Sequence, residues 1–214
     1  ANTLADLCEG IGADWSEIVP ALRLDARIGP QAYIRPGLGI SGGNLERDLA
    51  SLVRLAGVAA SDASVVEAYR AHSNHAKDWP HRVLSAAFGE TLSDRRIAIL
   101  GLAYKEDTHS TKNSPALLLL ERLSESSVAA FDPLVHEVDG PEIHENALSA
   151  LDGADAVCLM TPWAEFRDIA PSDAAARMRG NLVVDPYELW DTDACLAAGL
   201  RHAVRGREQH SPKA

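Results

Sequence analysis

The sequence predicts an α/β chain: an all-helical block over residues 1–90, then a doubly wound parallel-sheet domain over 91–204. Two observations predict it. Apolar residues recur every three or four positions through the first block, and beyond residue 95 they gather into short runs that alternate with helical segments. The period changes across the polar stretch from Gly89 to Asp94, which marks the boundary.

The first block opens with a helix from Asn2 to Gly12, where Leu4, Leu7, Cys8 and Ile11 form one stripe; it reads as a core helix stopped by Gly12. Asp14 followed by Glu17 resembles a capping box and starts a second helix carrying Trp15, Ile18, Val19 and Leu22, in which Pro20 is tolerable only near the first turn. Leu45, Leu49, Leu52, Val53 and Ala56 space out a third. A fourth spans about Asp62 to Asp78 with Val65, Val66, Ala68 and Tyr69 inside, and Pro80 forces a kink or restart before Val83, Leu84 and Phe88. His72, His75 and His81 lack partners at metal-ligand spacing and read as a solvated helix face, so no metal is assigned.

In the second block, Arg96–Ala103, Val128–Phe131, Ala156–Met160 and Leu182–Val184 read as buried strands, with helices at Pro115–Leu123 and Ala147–Leu151. Such alternation builds a parallel sheet whose ligands lie beyond the carboxyl ends of the strands. The last residues, 205–214, are polar and read as a frayed tail.

A net charge of −11 argues against nucleic acid or an anionic membrane as partner, since either is repelled over most of the surface. Cys8, Cys158 and Cys195 are widely spaced and suggest neither a disulfide framework nor a zinc site, which fits a cytoplasmic protein. There is no apolar run of membrane-spanning length and no signal pattern, and the first residues read as the inside of a helix, as in a fragment or processed product.

The most informative stretch is PGLGISGGNLERDL, from Pro36 to Leu49. Gly37, Gly39, Gly42 and Gly43 allow positive φ and close approach of backbone to a ligand, and the loop runs into the third helix, whose free N–H groups face back toward it. That arrangement suits an anion such as a nucleotide phosphate. Gly37, Gly39 and Gly42 also spell GxGxxG, but Gln31 to Pro36 is short, partly polar and ends in proline, so no buried strand leads into a dinucleotide turn.

The same stretch resembles the active-site loop of the UDP-glucose and GDP-mannose dehydrogenases, the nucleotide-sugar 6-dehydrogenases, whose pattern is roughly PGxGFGGSCFPKD. Pro36, Gly37, Gly39, Gly42 and Asp48 match, Arg47 stands for lysine, and Asn44 falls on the nucleophilic cysteine. ANTLADLCE and DARIG resemble two upstream family motifs. GLAYKEDTHSTKNSPAL, from Gly101 to Leu117, resembles GLAFKpnTdDxReSPAL, with His109 and Ser110 replacing an acidic pair, Lys112 an arginine and Asn113 a glutamate. AFDP at Ala130–Pro133 and MTPWAEF at Met160–Phe166 resemble further motifs, read as edges of the pocket. In VVDPYE, Tyr187 stands where many members carry the arginine of DGRN.

The resemblance implies an all-helical dimerisation domain followed by a Rossmann-like domain that binds the sugar nucleotide, without the amino-terminal domain that holds NAD. It implies a homodimer in which Arg27 reaches the partner's ligand, and a substrate set of Arg27, Tyr33, the glycines Gly37, Gly39, Gly42 and Gly43, Lys105 and Tyr187. Asn44 and Asp48 fall on catalytic positions, and Lys112 on a cofactor position. An amide is no nucleophile at neutral pH, so oxidation to a uronic acid is not expected of this chain. Two functions follow: a truncated or divergent member of that NAD-dependent family, or a non-redox sugar-nucleotide-binding dimer or repurposed enzyme on the same scaffold.

Overall fold

The structure is a computed structural model and describes residues 1–89 and 92–209. Five helices come first: α1 (Asn2–Ile11), α2 (Trp15–Leu24), α3 (Asn44–Val58), α4 (Ser64–Lys77) and α5 (Trp79–Phe88). Gly12 ends α1 in the left-handed region at φ 71°, and the Asp14 carboxylate caps α2 by accepting from the Ser16 amide at 2.7 Å. Pro20 lies in the interior of α2 rather than its first turn. Pro80 acts as a restart, since α4 ends at Lys77 and α5 begins at Trp79 with the proline in its first turn.

The stripes on these helices do not form the expected core. On α1 only Ala5 and Cys8 are buried, while Leu7 is 56% and Ile11 76% exposed; α3 has no buried residue, and Val65 and Tyr69 of α4 face outward. Periodicity correctly marks which face is apolar, but nothing within the described residues covers it. Helix α5 is different, because Trp79, Val83 and Leu84 join the main core beneath the sheet.

The sheet comprises β1 (Arg96–Leu100), β2 (Ser127–Phe131), β3 (Glu142–Ile143), β4 (Ala156–Leu159), β5 (Leu182–Asp185) and β6 (Arg201–Val204). All neighbours are parallel, in the order β3-β2-β1-β4-β5-β6, with Ile99 level with Ala130 on one side and Cys158 on the other. Helices α6 (Pro115–Arg122), α7 (Ala147–Ala150), α8 (Ala164–Arg167), α9 (Pro171–Arg177) and α10 (Thr192–Ala197) complete it. β1 stops at Leu100, short of the expected Ala103, because Gly101 turns the chain at φ 96°. β6 carries no apolar run to announce it: its His202 is fully buried, 3.4 Å from Asp185 and 3.0 Å from the Thr192 hydroxyl.

The segment after β6 does not fray where it is described. Arg205 is buried, its guanidinium 2.8 Å from Asp6 of α1 and stacked over Trp79 of α5, and the Gly206 amide donates to Glu9 at 2.8 Å. Trp79 Nε1 donates to the other oxygen of Glu9 at 2.8 Å. Two carboxylates of α1 thus tie the helices to the end of the sheet. The remainder of the expected tail, 210–214, lies outside the described residues.

A candidate sugar-nucleotide cleft

The glycine-rich stretch is an irregular loop with no strand before it, so its GxGxxG is not a dinucleotide turn. It is pinned at several points. Asn2 Oδ1 accepts from the Gly37 amide and Ser73 Oγ of α4 from the Ile40 amide, each at 2.8 Å, while Asn113 Nδ2 donates to the carbonyls of Ile40 and Gly42. The buried Lys77 ammonium donates in turn to Asn113 Oδ1 at 2.5 Å, and burial pushes that ammonium below the usual lysine range. Only two of the four glycines use positive φ. Gly39 lies at 78°, where a Cβ would stand 2.5 Å from the Ser73 carbonyl oxygen, and Gly42 lies at 76° against the Tyr104 ring. Gly37 and Gly43 have no positive φ, which corrects the reading of all four.

The opposite wall is built from strand ends. Asp132, at the end of β2, is buried and accepts from the amides of Leu102 and Ala103 and from Trp163 Nε1, which fixes the chain leaving β1 and aims Tyr104 and Lys105 outward. Thr161 Oγ1, past the end of β4, donates to the Ala103 carbonyl at 2.7 Å. Asp185, the last residue of β5, accepts from the amides of Leu189 and Trp190 and shapes the turn that presents Tyr187. Burial, with Tyr33 and Asp185 nearby, pushes the Tyr187 phenol above the usual tyrosine range, so it stays neutral and offers a hydrogen bond rather than a charge.

Between these walls lies a cleft of about 980 Å³. It gathers Tyr33, Gly37, Gly39, Lys105 and Tyr187 from the expected substrate set. Arg27 is not among them: its side chain is 90% exposed and paired with Asp25 at 2.6 Å. Gly42 and Gly43 lie deeper in the loop, and Asn44, the first residue of α3, is exposed outside the lining. Asp48, one turn on, is exposed and pairs with Arg47 at 3.3 Å. Lys112 lies against Gly43, at the start of α3, rather than in the cleft.

Sequence reasoning missed Arg35, Tyr69, His72 and Tyr104, which also line the cleft. Tyr104 stands inside the GLAYKEDTHSTKNSPAL motif and Arg35 directly before the glycine loop, so the sequence carried a signal for both. His72 had none beyond its place on α4; rather than standing on a solvated face, it is half-buried on the cleft wall. Among the described residues, neither Arg35 nor Lys105 forms an ion pair, and Glu106 and Asp107 are the carboxylates of the lining. All three cysteines are buried away from the cleft, and burial with Asp185 and Asp191 nearby pushes the Cys195 thiol up to about 12.

The two walls correspond to two family domains. Residues 1–75 match the central domain of the UDP-glucose/GDP-mannose dehydrogenase family and residues 98–192 its UDP binding domain. The chain belongs to this family. It is 30% identical to a UDP-glucose 6-dehydrogenase of Rhizobium meliloti (strain 1021), over 96% of this chain and 48% of that protein. It is 27% identical to the UDP-glucose 6-dehydrogenase YwqF of Bacillus subtilis (strain 168), over 99% and 49%. Among solved structures, a UDP-D-ManNAc dehydrogenase from Pyrococcus horikoshii superposes with a TM-score of 0.80 at 26% identity, covering 96% of this chain and 47% of that one. The chain thus spans about half the length of the relatives it matches. The glycine loop falls in the central-domain match and Lys105 and Tyr187 in the UDP-binding match, so the cleft lies where the two family domains meet.

The sheet has a dinucleotide-fold strand order, but it does not fit NAD. The connection from β1 to α6 is the long segment 101–114 rather than a tight glycine turn, and the start of α6 is closed by Pro115 and by Ser114 Oγ, which accepts from the Ala116 amide at 3.2 Å. A pyrophosphate finds no free helix N-terminus there.

Proposed function

We propose that this chain binds a nucleoside diphosphate sugar in the cleft between the Gly37–Gly39 loop and the strand-end segment bearing Lys105, as a divergent member of the nucleotide-sugar dehydrogenase family. The observation that carries the reading is the convergence of that loop with Arg35, Lys105 and Tyr187 in one cavity at the junction of the two family domains. The pinned loop and the two cations supply donors suited to a diphosphate, with Lys105 as a mobile point charge. The aromatic faces of Tyr33 and Tyr104 suit a base or sugar ring. In the family the redox chemistry belongs to NAD, and no step of it is assigned to the residues of this chain.

A second reading, a sugar-nucleotide-binding dimer without redox chemistry, is favoured by one observation. Asn44 and Asp48, on the positions of the family's nucleophile and water-activating carboxylate, are both exposed and outside the cleft lining. Both readings share the binding step. Calorimetry with UDP-glucose is expected to show saturable binding that weakens about tenfold in Lys105→Ala, the loss of one partly exposed charge-assisted contact. Equal affinity in the variant would remove Lys105 from the site.

A further inference from the structure

We propose that His72 is a ligand-contacting residue of the cleft, whose protonated imidazole adds a third positive charge beside the diphosphate below neutrality. The inference rests on the binding site proposed above and names a group in it that lies outside the family motifs of the glycine loop and the strand ends. Helix α4 presents Tyr69 and His72 to the cleft, and the next residue, Ser73, holds the Ile40 amide through its hydroxyl. His72 is therefore adjacent in sequence to the residue that anchors the glycine loop. Its Nε2 lies 3.4 Å from the Thr3 hydroxyl of α1, a long and therefore weak contact.

The charges facing His72 come from three directions. Across the cleft stand Lys105, Glu106 and Asp107; from the loop comes Arg35; and at the start of α1 lies Ala1. Arginine, lysine and carboxylate side chains ordinarily carry their charges across the neutral range. Burial, with Tyr33 and Asp185 nearby, keeps the Tyr187 phenol neutral there. On α4 itself, His75 stacks on His72 with ring centroids 6.1 Å apart, but points away to Asp6, 3.5 Å distant, and does not line the cleft. His72 is the imidazole of the lining, the type of side chain whose ordinary range lies between about pH 5 and pH 8. Glu106 and Asp107 are the carboxylates, and Arg35 and Lys105 the cations, that share the lining with it. An arriving diphosphate offsets the two cations and draws a proton onto the ring.

A sugar-linked diphosphate has no phosphate ionisation near neutrality, so UDP-glucose is the probe: any pH dependence then belongs to the protein. A charge of this exposure is expected to strengthen binding about fivefold when present, which reads as a roughly threefold loss of affinity from about pH 5.5 to about pH 7.5. By linkage the ligand should favour the protonated form of His72, visible in the imidazole proton resonances. In His72→Gln the affinity should become independent of pH over that range, while His75→Gln keeps the wild-type dependence. A pH dependence that survives in His72→Gln, or a His72 resonance whose titration does not respond to UDP-glucose, would overturn the inference while leaving the binding site intact. If no heat is seen from the unmodified chain at either pH, the binding site itself is withdrawn, and this inference with it.

Discussion

Gly39 shows how a single position can be dictated by geometry. At φ 78° a side chain is strained by about 1–2 kcal/mol before any contact is considered, and its Cβ would lie 2.5 Å from a backbone oxygen of α4 that cannot move without disturbing the helix. Gly39→Ala is expected to lose about 2 kcal/mol or more in urea denaturation. Gly37→Ala, with the Tyr187 ring 4.0 Å from the added carbon and no positive φ, should stay within about 0.5 kcal/mol. Equal losses would mean that the loop is not pressed on Ser73. Asn44 carries the second expectation. An amide forms neither the hemithioacetal nor the thioester by which a thiol carries an aldehyde to an acid, and no cysteine lies near the cleft. Product analysis with NAD and UDP-sugars should find no uronic acid from the unmodified protein, and its detection would contradict the assignment of Asn44. Gly39 is legible in the sequence because few residue types serve such a position. His72 is not, because a histidine on a polar helix face carries no mark of what stands opposite it.

The helices pose the reverse problem. Their stripes are apolar as the period indicates, yet Leu4, Leu7 and Ile11 of α1, Leu52 and Leu55 of α3, and Val65 of α4 are all exposed. Period reveals a face and not its cover. Two further strands, β3 and β6, and the short helices α8 and α9 escape a sequence reading because two to seven residues hold too little pattern, or because, in β6, a buried histidine disguises it. The exposed faces belong to the match with the family's central domain, and a second copy of the chain is the cover we propose. Sedimentation at micromolar concentration should give twice the mass of one chain, and Leu55→Glu should reduce it to one. A monomer in both cases would count against this and would leave Arg27, outside the lining of its own cleft, without a partner's ligand to reach.

Across the molecule, the parallel sheet follows from the alternation of short apolar runs with helices, and its strand ends follow from carboxylates that gather amides: Asp132 behind Lys105 and Asp185 behind Tyr187. A polar stretch marks the boundary between the blocks in sequence, but the packing crosses it. α5 lies in the sheet's core, and Arg205 and Gly206 return to Asp6 and Glu9 of α1. Long-range ties between charged side chains leave no periodic trace in sequence, which is why the end of the chain reads as frayed there. Asn113, after β1, donates to the Ile40 and Gly42 carbonyls and so ties the glycine loop to a strand end, beside the cleft. A crystal structure of the chain with UDP-glucose tests this most directly. The account predicts the diphosphate between the Gly37–Gly39 backbone and the Lys105 ammonium, with His72 on the adjoining wall. A ligand bound elsewhere, with this cleft left to water, would contradict it.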